Sequence, residues 1–161
     1  MSSSDRRAFL TGLAALGLAG CGFAPVHGPG GSGAALRGAV LAHPPRDRRD
    51  FDFVARIEDR LGRPSAPRFG LDYAIATEPV GSGVRPEGTI TRFTLTGHAD
   101  YALTELATGR TISSGRAESF TSWSATGSTV ATLAAEEDAR RRLMVILADQ
   151  VVARLMAAGI A

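Results

Sequence analysis

The chain has 161 residues and is 44% hydrophobic, enough for one domain with a modest core. All 18 basic residues are arginine and face 16 acidic ones, and a net charge of only +2 speaks against a dedicated nucleic-acid binder with its clustered basic patch. A single cysteine leaves no room for an internal disulfide framework or a thiolate metal cage.

The amino-terminal segment reads as an address. Met1–Asp5 is short and polar, Arg6 and Arg7 supply positive charge, and Ala8–Gly20 is an apolar run that closes in small residues. A helix that spans a bilayer needs about 20 apolar residues, so this run is too short to stay in a membrane; residues 1–20 are expected to be a signal that is removed. Leu18-Ala19-Gly20-Cys21 resembles the lipobox of bacterial lipoproteins. That resemblance implies a diacylglyceryl group on the Cys21 thiol, cleavage just before it, and acylation of the new amino terminus. Each buried methylene contributes about 0.8 kcal/mol, so one acyl chain anchors marginally and several anchor stably. Arg6-Arg7 followed by Phe9-Leu10 also resembles a twin-arginine signal, although Asp5 stands where Ser or Thr is usual, which leaves the general secretory route open. Gly22 occupies the position where an aspartate is the familiar inner-membrane retention signal, and this points to the outer membrane.

Residues 21–33 read as a flexible, lipid-anchored tether. Gly28–Gly33 matches G-x-G-x-x-G, but Pro29 lies inside the motif and no strand leads into it, so a phosphate-binding loop is not expected. A single domain is expected over residues 34–161. Its first strand is expected at Ala35–Ala42, ended by His43-Pro44-Pro45, and Asp47 or Asp50 is placed to cap a helix. Phe53, Ile57 and Leu61, with Val54 beside them, make one apolar stripe before Gly62 and Pro64 stop it.

From Phe69 the period changes to two: Leu71, Tyr73 and Ile75 alternate with smaller or polar residues, as in a half-buried strand. Pro79–Pro86, with Gly81 and Gly83, is expected to be a loop. A long strand follows from Thr89 to about Glu105, with Phe93, Leu95, Ala99, Tyr101 and Leu103 on one face and Arg92, Thr94, Thr96, His98 and Asp100 on the other. Ala107–Arg110 is a hairpin turn, and Thr111 to about Trp123 pairs back as a Ser/Thr-rich strand. Thr129–Ala158 is the strongest helix, with Glu136–Arg140, Glu137–Arg141 and Asp138–Arg142 as favourably oriented pairs and Leu143, Leu147, Val151 and Leu155 as the core line. The order predicts an α+β fold: a small, four-stranded, mainly antiparallel sheet with two helices packed on one face.

Catalytic or metal chemistry finds little support in these residues. His27, His43 and His98 lack the carboxylate or histidine neighbours of a helical metal site, and His98 with Asp100 reads as a polar surface pair. Ser32 between glycines lacks the strand and helix of a nucleophile elbow. Glu136-Glu137-Asp138 is matched by arginines four residues on, as on a solvated helix face. No enzyme, metal or cofactor is expected.

Four stretches resemble one family. Cys21-Gly22-Phe23-Ala24-Pro25-Val26, Ala107-Thr108-Gly109 ahead of a Ser/Thr strand, Ser128–Glu136, and Leu147-Ala148-Asp149 are similar to the lipopolysaccharide (LPS)-assembly lipoprotein family, LptE. The resemblance implies a small sheet with two helices on one face and a lipid anchor in the outer membrane. It implies a place inside the lumen of the outer-membrane β-barrel protein LptD, as its plug and assembly partner, and a part in delivering lipopolysaccharide to the outer leaflet without covalent chemistry. Arg92 and Arg116, expected at the centres of two adjacent strands, are then the candidates for contact with barrel wall or LPS phosphates. Three other classes compete: an auxiliary lipoprotein of an ABC-type lipid transporter, a structural envelope lipoprotein, and an anchored enzyme such as a cell-wall hydrolase, which would demand clustered His, Asp or Glu that the chain does not show.

Overall fold

The computed structural model describes residues 31–84, 90–125 and 128–160. The expected signal, Cys21 and nearly all of the expected tether lie outside the described residues. The elements in chain order are α1 (Ser32–Leu36), β1 (Val40–Ala42), α2 (Arg48–Leu61), β2 (Phe69–Val84), β3 (Ile90–Glu105), β4 (Thr111–Ser124) and α3 (Thr129–Ala157). The four strands form one sheet in the order β1-β2-β3-β4, with β1 parallel to β2 and the other pairs antiparallel. This is the expected α+β architecture, with the short α1 added.

Local chemistry explains most of the boundaries. Asp47, not Asp50, caps α2: its carboxylate accepts the backbone N–H of Asp50 at 2.9 Å. Asp50 is instead buried and accepts both the backbone N–H and Nε of Arg46, at 3.2 and 3.0 Å. Gly62 ends the helix at φ 82°, a left-handed conformation that a side chain would strain. Phe53, Val54, Ile57 and Leu61 all point into the core, as their spacing predicts.

Two expectations are corrected. Ala35–Ala42 is not one strand: its first part belongs to the helical turn α1, which buries Leu36, and β1 shortens to Val40–Ala42. Alanine and leucine favour helix, and a three-residue strand at a sheet edge gives them little reason to extend. Pro79–Val84 is strand rather than loop, pairing Pro79 with Leu95 and Val80 with Thr94 before bulges around Gly83. Because β1 pairs only with Phe69–Leu71, this part of β2 is a sheet edge, where a proline's missing N–H is tolerated.

The core lies between one face of the sheet and the two long helices. Leu71, Leu95, Ala99 and Leu103 from the strands meet Phe53, Ile57 and Leu61 of α2 and Leu143, Leu147, Val151 and Leu155 of α3, all essentially without solvent exposure. Each such leucine stabilises the fold by roughly 1.5–3 kcal/mol on burial. Gly97 of β3 permits a close approach of α3: a Cβ there would lie 2.9 Å from Leu143 Cδ2. The buried Thr121 hydroxyl donates to the Ala139 carbonyl at 3.0 Å and ties β4 to α3.

Charged side chains organise the helix layer. Arg56 of α2 makes two parallel 3.0 Å hydrogen bonds to Asp149 of α3, and Arg60 Nε lies 3.5 Å from the same carboxylate. Two of the three expected pairs within α3 form, Glu136–Arg140 and Asp138–Arg142. Glu137 turns instead to Arg48 of α2, at 3.2 Å. Arg142 donates to the Ser122 carbonyl at 3.1 Å and Arg154 to that of Arg116, so arginines of α3 cover carbonyls along the outer edge of β4.

Candidate functional site

Among the described residues, the second face of the sheet carries no helix. Strand alternation places on it Ala74, Ala76, Glu78 and Val80 of β2, then Thr94, Thr96, His98 and Asp100 of β3, and Arg116, Glu118, Phe120 and Ser122 of β4. Register sorts these residues into rows across the three strands. Ala74, Asp100 and Arg116 make one row; Ala76, His98 and Glu118 the next; Glu78, Thr96 and Phe120 a third.

Arg116 and Asp100 are locked together. Arg116 Nε and an η nitrogen donate to the two carboxylate oxygens at 2.6 and 2.8 Å. These hydrogen bonds hold the Asp100 carboxyl below its ordinary range and raise the Arg116 guanidinium. His98 Nε2 lies 3.9 Å from Asp100 on the same face, a polar surface pair as its position predicts.

Arg92 stands apart from this pair. It lies near the start of β3, not at its centre, and pairs in register with Ser124, whereas Arg116 pairs with Asp100. Eight residues of strand separate the two positions, about 27 Å, so the two candidate arginines are not brought together. Arg92 is exposed and makes no ion pair among the described residues. It lines a shallow hollow of about 410 Å³ with Ser82, Thr91 and Ser124. Hydroxyl groups are organised around it: Thr94 Oγ1 donates to Ser82 Oγ at 3.1 Å, and Ser82 Oγ to the Arg92 carbonyl at 3.4 Å.

The middle rows form a groove of about 700 Å³ lined by Ala76, Glu78, Thr96, His98, Glu118 and Phe120. Phe120 is 68% exposed on this face, which mixes polar groups with Ala74, Ala76 and the half-exposed Val80. It is not among the site residues expected from the sequence, although it shares strand parity with Arg116 and Glu118, and that parity alone puts it outside the core. Glu78, next to the expected Pro79–Pro86 loop, lies on a paired part of β2 opposite Thr96. Among the described residues no group of three or more His, Cys, Asp or Glu could hold a metal ion, and no helix is long and apolar enough to cross a membrane.

The lipopolysaccharide-assembly family model LptE matches residues 40–155, from the first residue of β1 into the last turn of α3. The chain belongs to the LptE family. Solved structures give the same fold. A candidate lipoprotein from Caulobacter crescentus superposes with a TM-score of 0.65 at 20% identity, covering 78% of this chain and 93% of its own. Rare lipoprotein B from Shewanella oneidensis follows at 0.57 and 10% identity (74% and 92%), and lipoprotein B from Nitrosomonas europaea at 0.55 and 13% (74% and 81%). No curated protein matches.

The stretches that suggested the LptE family turn out to be joints of the fold. Ser128 accepts the Ala131 N–H at the start of α3, and Thr108 donates to Glu105 at 2.7 Å in the hairpin turn. Leu147 and Ala148 are buried, and Asp149 receives Arg56 and Arg60. Cys21–Val26 lies outside the described residues. These LptE-like positions therefore carry architecture, while the open face carries the groups free to meet a ligand or partner.

Proposed function

We propose that the chain is an outer-membrane lipoprotein that plugs and helps assemble the LptD β-barrel and takes part in delivering lipopolysaccharide to the outer leaflet. In this reading residues 1–20 are removed, Cys21 carries the lipid, residues 21–33 tether it, and residues 34–161 form a single non-enzymatic domain facing the periplasm or the barrel lumen. The observation that carries the reading is the LptE match, which spans the whole sheet and nearly all of α3. The open face supports it: a barrel lumen is polar, and this face offers hydroxyl, carboxylate and guanidinium groups where a second helical layer would otherwise sit.

For lipopolysaccharide the two candidate arginines differ in availability. Arg92 is free to meet a phosphate, with hydroxyls around it, whereas Arg116 already satisfies Asp100 and would have to give up that pair. Two variants test these points. Cys21→Ala is expected to abolish labelling of the protein by a fatty-acid probe, and labelling at the parent's level would contradict the anchor. Arg92→Glu is expected to lower capture of purified lipopolysaccharide about tenfold, the size expected for one charge-assisted contact, with Arg116→Ala changing it less. Equal capture by Arg92→Glu and parent would remove Arg92 from the contact.

A further inference from the structure

We propose that the groove between Glu78, Glu118 and Phe120 is a docking site for an arginine or lysine side chain of a protein partner. The inference rests on the reading that this face meets a protein, and it names the chemistry that the partner must present.

Charge complementarity carries the argument. The chain as a whole is net positive at +2, yet the groove reverses that sign. Glu78 and Glu118 stand on its two sides, two strands and one row apart at about 12 Å, and neither makes an ion pair among the described residues. Arg116 in the next row lies close enough to feel Glu118, but its hydrogen bonds go to Asp100. His98 shares the Glu118 row and leans toward Asp100 at 3.9 Å. The groove thus holds two unneutralised carboxylates.

Phe120 supplies the second element. Its ring is 68% exposed in the row of Glu78 and lies next along β4 from Glu118 on the same face. An aromatic face attracts a cation through its quadrupole, and most strongly a planar guanidinium that can stack on it. A basic side chain entering here stacks its apolar stem and charged head on Phe120 while its N–H groups reach a carboxylate. Thr96, at the groove floor, offers a hydroxyl that already donates to the Glu78 carbonyl at 3.2 Å and so has lone pairs left to accept. A phosphate would meet two carboxylates at this place, which separates the groove from the hollow beside Arg92.

The test is photo-crosslinking in cells, with benzoylphenylalanine in place of Phe120 in the full-length, lipidated protein and the crosslinked peptides identified by mass spectrometry. The expected result is an adduct to a partner stretch that contains Arg or Lys, with a yield at least about threefold lower when Glu78→Gln and Glu118→Gln are combined, as for removal of partly exposed charge pairs. Reversing that basic residue should lower the yield in the same way, and Glu118→Arg should restore it. An adduct to a second copy of the chain, to lipopolysaccharide, or to a stretch without a basic residue overturns the proposal, as does a yield indifferent to the two glutamine substitutions. If LptD co-purifies while no adduct forms, the groove proposal fails and the plug reading stands. A charge-dependent adduct to a basic stretch of some other protein, without LptD, upholds the groove and removes the plug.

Discussion

Tyr73 shows how one residue couples the core to solution conditions. Its ring packs 5.1 Å from Phe53, and its buried hydroxyl has no hydrogen-bond partner among the described residues. Burial first, and the nearby Asp50 carboxylate second, push its pKa from 10 up to about 12. The fold thus favours the neutral phenol relative to the unfolded chain. This contribution is fully present below pH 10 and is lost as pH rises toward 12. Tyr73→Phe removes a buried group that lacks a partner, so the variant is expected to equal the parent or exceed it by up to about 1 kcal/mol at neutral pH. Between pH 10 and 12 its urea midpoint should fall less than the parent's. A loss of more than about 1 kcal/mol at neutral pH would mean that the hydroxyl is hydrogen-bonded in the folded protein.

At the scale of elements, helix packing on the sheet depends on a few small residues. A Cβ at Gly97 would meet Leu143 Cδ2 at 2.9 Å, Thr77 Cγ2 at 3.1 Å and the Ala76 carbonyl at 3.2 Å. Gly97→Val therefore overpacks the β3–α3 contact and is expected to cost about 1–3 kcal/mol in chemical denaturation, while a change within error would show that α3 can shift away freely. Much of this layer is legible in the sequence. The period-two runs from Phe69 and from Arg92, and the stripe from Leu143 to Leu155, place the buried residues correctly because both sheet and helices have one dry face. The misreadings fall at the sheet edge. Pro79 and Gly81 suggest a loop, yet the long partner β3 holds them in register on a strand whose outer side needs no N–H there. The candidate site is less legible, because it depends on register. Alternation alone puts Arg92 and Arg116 on one face, but only the pairing of β3 with β4 shows that Asp100 holds Arg116 and that Arg92 lies about 27 Å away.

For the whole molecule, the asymmetry between the two faces of the sheet is the main functional fact. One face is sealed by α2 and α3, which are themselves joined by Arg56, Arg60 and Asp149. The other is bare among the described residues and holds two distinct chemistries, an acidic groove around Phe120 and a hydroxyl-rich hollow around Arg92. The edges differ as well. Arginines of α3 cover carbonyls of β4, whereas the outer side of β2 beyond Leu71 has no strand on it among the described residues. In the plug reading, the open face is the one that meets the partner. The most direct test is to purify the tagged full-length protein from detergent-solubilised outer membrane and identify what accompanies it. The plug reading predicts a stoichiometric large β-barrel protein, LptD. Recovery of transporter subunits instead, or of the lipoprotein alone, would contradict it.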